Sequence, residues 1–426
     1  MSENKKSVVI IGLGYVGLPL ALEFSQYYCV TGFDVNSERI DDLNDSLDTT
    51  QEVSSCALKS ALKSKNITFV NDETKIVGKD FYVVAVPTPV NSRFEPDLTI
   101  VEKASELLGR VIASGSIVIF ESTVYPGVTE DICIPLINKG SGLEGGVDFF
   151  YGYSPERINP GDLTSSVTTV VKVTSGCCSK SADLINELYS SIVKAGVYSA
   201  KSIKVAEAAK VFENIQRDVN IALVNEFSIL CTAMGIKTSD VLDAAATKWN
   251  FMKFSPGLVG GHCIGIDPYY LIHKAKSMGH SLDIAIQARK RNESMPYYIV
   301  EQLKNKLIQM KRPINDINVL VLGYTFKENC PDIRNTKVKD IIVNLNEFTS
   351  SVAVFDPWVA ESDKKHSKVN FIRDPRNHVF DAVIIAVKHQ DFVEYNENDW
   401  DEILRGDPLV FDLKESCKNV KSHFSL

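Results

Sequence analysis

Positive charge is scarce in this sequence, since 46 lysines and arginines stand against 54 aspartates and glutamates and leave a net charge of −8. Attachment to nucleic-acid backbones or to anionic lipid needs a surplus of positive charge. We therefore expect no nucleic-acid partner. The sequence also lacks any apolar run of the roughly 18 residues that a membrane helix requires, and we expect no membrane insertion.

The sequence also lacks cysteines in the paired spacings that disulfide or zinc sites use. The nine cysteines include no C-x-x-C spacing, and their odd number fits neither a disulfide framework nor a zinc knuckle. We expect most of them to be small buried residues and no metal site. The polar start, Met1 to Ser7, runs directly into apolar Val8 to Ile11 and leaves no room for a secretory leader, so a cytoplasmic location is expected.

The remaining composition is that of a soluble globular protein. Of 426 residues, 44% are hydrophobic and 23% are charged. At about 100 to 200 residues per domain, this length predicts two to four domains. The first segment has the pattern of a βαβ unit, with a strand at residues 8–11, a glycine-rich turn, a helix at 18–26 and a strand ending in Asp34. Further apolar strands at 81–86 and 116–120 indicate a doubly wound parallel sheet.

The middle of the chain favours helices. Residues 201–234 contain neither proline nor glycine, and their pattern predicts one long helix, although two shorter helices are the alternative. Such a helix can link two domains and carry a subunit interface. A second helical region at 268–310 is predicted to be interrupted near Met295 and Pro296.

The last third repeats the opening pattern, with strands predicted at 318–322, 352–355 and 381–387. Its first turn, at Gly323, lacks the G-x-G-x-x-G spacing, which suggests a different nucleotide. The predicted fold is α/β, with two Rossmann-like doubly wound parallel-sheet domains joined by a long central helix. The expected domains are 1–200, 201–310 and 311–426.

A dinucleotide site is indicated by Gly12, Gly14 and Gly17, which follow a strand and open a helix. Glycines there allow a tight turn and close approach of the backbone to a pyrophosphate. Asp34 follows Gly12 by 22 residues at the end of the second strand, where a carboxylate accepts hydrogen bonds from ribose and repels a 2′-phosphate. This pattern favours NAD over NADP, and the alternative is a glycine turn needed only for packing.

Cys263 is the candidate nucleophile. It lies in a stretch with three preceding glycines, Gly257-Leu-Val-Gly-Gly-His-Cys, and Asp267 follows four residues later. A thiol on such a loop becomes a nucleophile if a nearby cation lowers its pKa, whereas an ordinary cysteine is a packing residue. His262 is interpreted as structural, because adjacent side chains usually point apart.

Lys210 and Asn214 are spaced i, i+4 on the predicted long helix and so share one face. Together they could stabilise an oxygen that becomes anionic. Glu156, in Ser-Pro-Glu-Arg157, is a candidate general base. From spacing alone, a solvated helix face and a surface carboxylate are the simpler interpretations of these residues.

These motifs together resemble the UDP-sugar 6-dehydrogenase family, the relatives of UDP-glucose dehydrogenase. The resemblance runs from Ile11-Gly-Leu-Gly-Tyr-Val-Gly-Leu-Pro to Val354-Phe-Asp-Pro-Trp. It implies an N-terminal NAD domain, a central dimerisation region, a C-terminal UDP-binding domain and a homodimer. It also implies that Cys263 forms a thiohemiacetal and then a thioester, which link two hydride transfers that convert a sugar C6 alcohol to a carboxylate.

The same resemblance implies a role for each matching residue. Lys210, Asn214 and Asp267 would stabilise the C6 oxygen and its water, and Thr123 would position that water. The NAD contacts implied are Gly12, Gly14, Tyr15, Val16, Gly17, Asp34, Arg39, Thr88 and Thr123. The substrate contacts implied are Glu156, Arg157, Lys210, Asn214, Phe251, Lys253, Ser255, Gly257, Gly260, Lys327 and Arg334.

One departure from the family pattern refines the substrate. UDP-glucose enzymes of this family place a second glutamate four residues after the Ser-Pro-Glu acid, whereas this chain has Pro160 there. The pattern resembles the branch that oxidises UDP-N-acetylhexosamines in Vi-type capsule and O-antigen synthesis. UDP-N-acetylglucosamine is therefore expected, with water activation left to Glu156, Asp267 or Thr123.

Three alternatives stay open at this stage. The first is oxidation of UDP-glucose or UDP-N-acetylmannosamine by the same chemistry. The second is a catalytically silent sensor of nucleotide sugars. The third is a one-step hydroxy-acid dehydrogenase, which would have no use for Cys263.

Overall fold

The computed structural model describes residues 5–157 and 167–426. The chain divides into two compact units. The first unit is Met1–Glu213 with Tyr269–His280, and the second is Asn214–Pro268 with Ser281–Leu426.

The described part of the first unit is built on an eight-stranded sheet in the order β3-β2-β1-β4-β5-β6-β7-β8. Its neighbouring strands are parallel, except that β6 and β7 are antiparallel. Strands β1, β4 and β5 are buried almost throughout, as expected for a parallel sheet covered on both faces. The strands are β1 (Ser7–Ile11), β2 (Cys29–Phe33), β3 (Ile67–Val70), β4 (Phe81–Val84), β5 (Ile117–Phe120), β6 (Phe150–Tyr153), β7 (Lys172–Gly176) and β8 (Val197–Ser199).

Helices cover both faces of this sheet and create a separate hydrophobic core on each. The order in which strands are added to the sheet reverses at β1, because β2 and β3 lie on one side of it and β4 and β5 on the other. Such a switch point opens a crevice at the carboxyl ends of the strands. The helices are α1 (Gly17–Ser25), α2 (Ser37–Asn44), α3 (Ser55–Ser64), α4 (Thr99–Val111), α5 (Ile134–Ser141) and α6 (Ser179–Ser190).

The predicted long helix is confirmed as α7 (Ile203–Met234), with 32 residues in one piece. It is followed by α8 (Thr238–Ala245), α9 (Asp267–Ser277) and α10 (Asp283–Gln309). The predicted interruption at Met295 and Pro296 is wrong, because α10 continues through both residues. The break lies at Gly279, whose φ of +77° ends α9. Met295 and Pro296 are buried, and their packing holds the helix together although proline removes one backbone donor.

The described part of the second unit contains a four-stranded parallel sheet in the order β10-β9-β11-β12. Its strands are β9 (Asn318–Leu322), β10 (Ser351–Phe355), β11 (Ala382–Ile385) and β12 (Leu409–Asp412). Its helices are α11 (Val338–Leu345), α12 (Glu361–His366), α13 (Gln390–Val393) and α14 (Glu397–Ile403). The predicted class, with two parallel-sheet Rossmann-like parts and a long helix in the middle of the chain, is confirmed.

Candidate active site

The glycine turn of the first unit has the shape that dinucleotide binding requires. Gly12 has a φ of +91°, and a Cβ on it would lie 2.8 Å from the carbonyl oxygen of Ala85. A Cβ on Gly17 would lie 1.8 Å from the carbonyl oxygen of Gly12, so α1 could not pack there with any side chain. Gly14 has open space around its Cβ position. The backbone of the turn is thus accessible at Gly14, beside half-buried Tyr15 and Val16, and the turn fits a pyrophosphate.

Asp34 lies at the end of β2 beside this turn. Its Oδ2 accepts the N–H of Leu13 at 2.9 Å and its Oδ1 accepts the N–H of Asn36 at 3.0 Å. A carboxylate has about four acceptor positions, so two such bonds orient Asp34 and leave capacity for ribose hydroxyls. The structure therefore places Asp34 beside the glycine turn, and its contact with a ribose stays a prediction.

Arg39 supports the turn from its buried side. Its guanidinium donates two hydrogen bonds to the carbonyl of Leu13, at 3.0 and 2.8 Å, and pairs with Asp48 at 2.8 Å. Burial alone would raise the pKa of Asp48, but hydrogen bonds from Thr50, Val53 and Arg39 outweigh it and lower the pKa. Arg39 thus holds the glycine turn in place through protein contacts.

Thr88 and Thr123 follow the adjacent strands β4 and β5. The hydroxyl of Thr88 donates to the carbonyl of Thr123 at 2.6 Å. The phenol of Tyr270 donates to the carbonyl of Thr88 at 2.7 Å. The structure brings these two predicted cofactor residues together at the carboxyl edge of the sheet.

Glu156 and Arg157 follow β6 at the same edge. Arg157 is held by Glu213 through two hydrogen bonds, at 3.2 and 2.8 Å, and by the carbonyl of Val171 at 2.8 Å. The Glu156 side chain is 13% exposed, and its Oε2 lies 3.9 Å from Nζ of Lys172. A nearly buried carboxylate beside an ammonium group differs from the surface residue that the sequence alone favoured.

Sequence reasoning missed a buried ionic cluster next to Glu156. Lys172 Nζ lies 2.7 Å from Oε2 of Glu121, whose Oε1 accepts a hydrogen bond from the Tyr189 hydroxyl. Burial first, and then the charge of Glu156, raises the pKa of Glu121 despite the opposing effect of Lys172. The available signal was a glutamate directly after the apolar strand β5 and a lysine within the apolar stretch that forms β7.

Cys263 lies in the second unit on the loop before α9, and its side chain is exposed. The carbonyl of Cys263 accepts the N–H groups of Ile266 and Asp267, at 3.1 and 2.8 Å, and this turn starts the helix. Gly261 has a φ of +79°, and a Cβ there would lie 2.7 Å from the ring of Phe326. The glycines before the thiol therefore allow the loop to approach the segment after β9 closely.

Asn214 and Asp267 are brought together in the second unit. The amide nitrogen of Asn214 lies 2.5 Å from Oδ2 of Asp267, and Asp267 is 3% exposed. Asp267 is four residues from Cys263 along the chain, and its N–H is held by the Cys263 carbonyl at 2.8 Å. Lys210, on the same helix as Asn214, is 7% exposed and belongs to the first unit.

The predicted substrate loop, residues 251–257, is held at its end by a side chain that sequence reasoning missed. Asn225 is fully buried on α7. Its amide accepts the N–H of Gly257 at 2.8 Å and donates to the carbonyl of Gly257 at 3.0 Å. Asn292 on α10 accepts a further bond from Asn225 at 2.9 Å. Phe251, Lys253 and Ser255 are exposed, and Lys253 pairs with Asp243 at 2.5 Å.

Lys327 and Arg334 lie on the segment that the cysteine loop approaches. A Cβ on Gly260 would lie 2.8 Å from the carbonyl oxygen of Asn335. Lys327 is half-buried, and the exposed Arg334 side chain pairs with Asp332 at 2.6 Å. Burial, followed by the charge of Arg334, lowers the pKa of His262. The neutral form of His262 is therefore favoured, and Arg334 and Asp332 are the charged side chains that act on it.

In the second unit, the residue that corresponds to Asp34 is Asp356, and its contacts are different. Asp356 follows β10 and is 1% exposed. It accepts the N–H groups of Tyr324 and Thr325, at 2.5 and 3.0 Å, and lies 3.1 Å from Nε2 of His389. Burial would raise the pKa of Asp356, but His389 and the backbone donors lower it. This carboxylate serves the turn after β9 and presents no surface to a ribose.

Three further points concern the extent of the described residues and what they contain. Pro160, on which the substrate prediction rests, lies outside the described residues. Within residues 5–157 and 167–426, no three His, Cys, Asp or Glu side chains are arranged to hold a metal ion. Over the same described ranges, no helix combines the length and apolar character needed to cross a bilayer.

Comparisons with known proteins agree with this geometry. The NAD binding, central and UDP binding domain models of the UDP-glucose/GDP-mannose dehydrogenase family match residues 6–193, 204–294 and 320–419. The sequence-based resemblance and the NAD prediction are thereby confirmed.

Full-length relatives extend the likeness. The chain is 47% identical to the UDP-N-acetyl-D-glucosamine 6-dehydrogenase of Pseudomonas aeruginosa over 420 residues, which cover 98% of this chain and 99% of that one. It is 47% identical to the enzyme of the same name from Salmonella typhi, over 96% of each chain. The solved structure of UDP-D-ManNAc dehydrogenase from Pyrococcus horikoshii matches with a TM-score of 0.88, at 30% identity over 98% of both chains.

Proposed function

The chain belongs to the UDP-glucose/GDP-mannose dehydrogenase family, and from this membership we propose that it is an NAD-dependent UDP-N-acetylglucosamine 6-dehydrogenase. Two curated relatives with that activity match it at 47% identity along nearly its whole length. The observation that carries the proposal is the exposed thiol of Cys263 on a glycine-rich loop, four residues before the Asp267 that pairs with Asn214.

The reaction converts the C6 alcohol of the sugar to a carboxylate in two oxidations. When bound, NAD would supply the hydride acceptor for both, so that one sugar consumes two NAD and one water and yields two NADH and three protons. The thiol of Cys263 adds to the carbonyl carbon of the aldehyde formed first, giving a thiohemiacetal. Loss of the second hydride leaves a thioester. Attack of water forms the new C–O bond, breaks the C–S bond and restores the cysteine.

Several side chains carry groups suited to these steps. Lys210 and Asn214 supply a positive charge and hydrogen bonds for the C6 oxygen as it becomes anionic. Asp267 orients Asn214. Glu156 and Thr123 lie at the carboxyl edge of the first sheet, where a carboxylate and a hydroxyl can hold the attacking water.

We assign the remaining site residues to binding of the cofactor or of the substrate. Gly12, Gly14, Gly17 and Asp34 bind the dinucleotide, and Arg39 keeps their turn in shape. For the nucleotide sugar, the residues we assign are Arg157, Phe251, Lys253, Ser255, Gly257, Gly260, Lys327 and Arg334.

The wider setting is part of the same proposal. We propose domains at 1–200, 201–310 and 311–426, a homodimer formed through the central region, and a cytoplasmic location where NAD and UDP-sugars are available. The uronic acid product supplies a surface polysaccharide, in keeping with the similarity to the Staphylococcus aureus protein CapL, 46% identical over 413 residues.

NADH formation against a panel of UDP-sugars tests the proposal. The purified protein is incubated with UDP-N-acetylglucosamine, UDP-N-acetylgalactosamine, UDP-N-acetylmannosamine and UDP-glucose. We expect the highest kcat/KM with UDP-N-acetylglucosamine and two NADH for each acid formed. A ratio of one NADH per sugar would contradict the thioester route, and no NADH with any sugar would favour a silent sensor.

A further inference from the structure

Three neighbouring strands of the first sheet place charged residues at a single edge. Glu121 follows β5 directly, and Glu156 follows β6 by three residues. Strand β7 runs antiparallel to β6, so its first residue, Lys172, lies at the edge where β5 and β6 end. The one reversal of direction in the described sheet thereby delivers a lysine to the carboxyl edge, where parallel α/β sheets bind their ligands.

Lys172, Glu121 and Tyr189 form a buried ionic cluster. The Glu121 and Tyr189 side chains are essentially inaccessible, and that of Lys172 is 6% exposed. Lys172 Nζ lies 2.7 Å from Glu121 and 5.2 Å from the centre of the Tyr189 ring. A buried ion pair of this kind adds little stability compared with apolar residues of the same volume. Packing alone therefore gives no reason for the cluster.

An electrostatic interaction connects the cluster to Glu156, the candidate general base. Lys172 Nζ lies 3.9 Å from Oε2 of Glu156, a distance at which an ion pair orients a carboxylate without a direct hydrogen bond. One ammonium group thus serves two carboxylates. Tyr189 donates to Oε1 of Glu121, while Oε2 of Glu121 contacts Lys172.

We propose that Lys172, held by Glu121 and Tyr189, is a positioning residue that orients Glu156 for thioester hydrolysis. The inference rests on the proposed function, in which Glu156 takes a proton from the attacking water. Lys172 acts only through Glu156 and touches no reacting atom. Glu121 and Tyr189 act one step further away, because they hold the ammonium group of Lys172 in place.

Substitutions of Lys172 and Glu121 provide the test. In Lys172→Met the Glu156 carboxylate loses the cation that orients it, so we expect hydrolysis to slow by about 100-fold, while the binding of NAD and of the UDP-sugar stays the same. In Glu121→Gln the ammonium group loses its charged partner, and the same slowing should appear in weaker form. A general structural disturbance would weaken the binding of both ligands as well.

The slow step can be observed directly. Lys172→Met should release NADH in a rapid burst and accumulate the sugar thioester on Cys263, detectable by mass spectrometry of quenched enzyme. Lys172→Arg keeps the charge and should recover activity to within about 10-fold of the unmodified protein. The matched control is Lys180→Met, because Lys180 is an exposed lysine on the nearby helix α6 and should leave all these values unchanged.

Each result decides the inference separately from the proposed function. Unchanged hydrolysis in Lys172→Met would overturn the positioning role, while normal two-NADH turnover of the unmodified protein would leave the proposed function intact. If Lys172→Met fails to fold, as shown by NAD binding and thermal unfolding, Glu121→Gln and Lys172→Arg carry the test. A Glu121→Gln variant that hydrolyses the thioester at the rate of the unmodified protein then rejects the proposal.

Discussion

The side-chain amide of Asn214 lies within 2.5 Å of Oδ2 of Asp267 and donates a hydrogen bond to it. Asp267 is 3% exposed, and a buried carboxylate needs such partners to remain in place. The bond joins α7 to the start of α9, next to the loop of Cys263. It fixes the amide that we assign to the C6 oxygen.

Replacing Asn214 by alanine should impair both activity and stability. The variant removes a group proposed to stabilise the developing oxyanion, for which losses of about 100- to 1,000-fold in kcat are typical. It also removes a hydrogen bond from buried Asp267, which should lower the free energy of unfolding by about 1–3 kcal/mol. Steady-state kinetics and urea unfolding measure the two effects. Asn220→Ala, on the same helix but with an exposed side-chain hydrogen bond, should change neither quantity substantially.

Replacing Cys263 by serine should abolish the second oxidation and leave NAD binding intact. A serine hydroxyl is a far weaker nucleophile than a thiolate and forms no thioester. Fluorescence titration with NADH measures cofactor binding, and mass spectrometry of quenched reactions measures the covalent adduct. Cys56→Ser, at another exposed cysteine, is the control that should keep full turnover. Uronic acid production by Cys263→Ser at the normal rate would remove Cys263 as the nucleophile.

Asn225→Ala should weaken substrate binding more than it slows chemistry. Asn225 holds both backbone groups of Gly257, and without it the end of the loop at 251–257 is no longer fixed. We expect KM for the UDP-sugar to rise by about 10-fold, which corresponds to about 1.4 kcal/mol, while KM for NAD stays the same. Asn225→Asp keeps the acceptor for the Gly257 N–H, so its KM for the UDP-sugar should lie between those of the unmodified protein and of Asn225→Ala. Equal changes in both KM values would indicate a general structural defect instead.

How much of the fold and of the candidate site can be predicted from the sequence depends on whether each signal is local along the chain or arises from tertiary contacts. The turn at Gly12, Gly14 and Gly17 and the end of β2 at Asp34 could be placed from a few neighbouring residues, because local backbone geometry demands them. Pro296 misled the prediction for a similar reason, since the rule that proline breaks helices is local, whereas the burial that keeps α10 intact is tertiary.

The residues that were missed act over long sequence separations. Lys172 and Glu121 are 51 residues apart, and Asn225 and Gly257 are 32 residues apart. Lys172, Glu121 and Asn225 are ordinary polar residues in their own segments and gain their roles only through strand order or helix packing. The antiparallel pairing of β6 with β7 was the decisive fact for Lys172, and no periodicity in the sequence indicates it.

Glu207 should make the stability of the first unit depend on pH. This residue of α7 is fully buried, and its two oxygens accept the N–H groups of Gly127 and Thr129, at 2.6 and 3.0 Å. Burial raises its pKa from the ordinary 4.5 to about 7, although these hydrogen bonds oppose the shift. The folded state then binds the proton more tightly than the unfolded state does. The stabilisation is complete below about pH 4.5 and is lost as the pH rises to about 7.

The size of this effect can be isolated with Glu207→Gln, which cannot ionise. A shift from 4.5 to about 7, at about 1.36 kcal/mol per pKa unit, corresponds to about 3 kcal/mol. Between pH 4.5 and 8, the unmodified protein should lose up to this amount of stability relative to the variant. Hydrogen exchange of the segment around Gly127 and Thr129, corrected for intrinsic rates, measures it locally. Glu106→Gln, on the exposed side of α4, is the control, and a difference between unmodified protein and Glu207→Gln that stays constant or grows with pH would contradict the raised pKa.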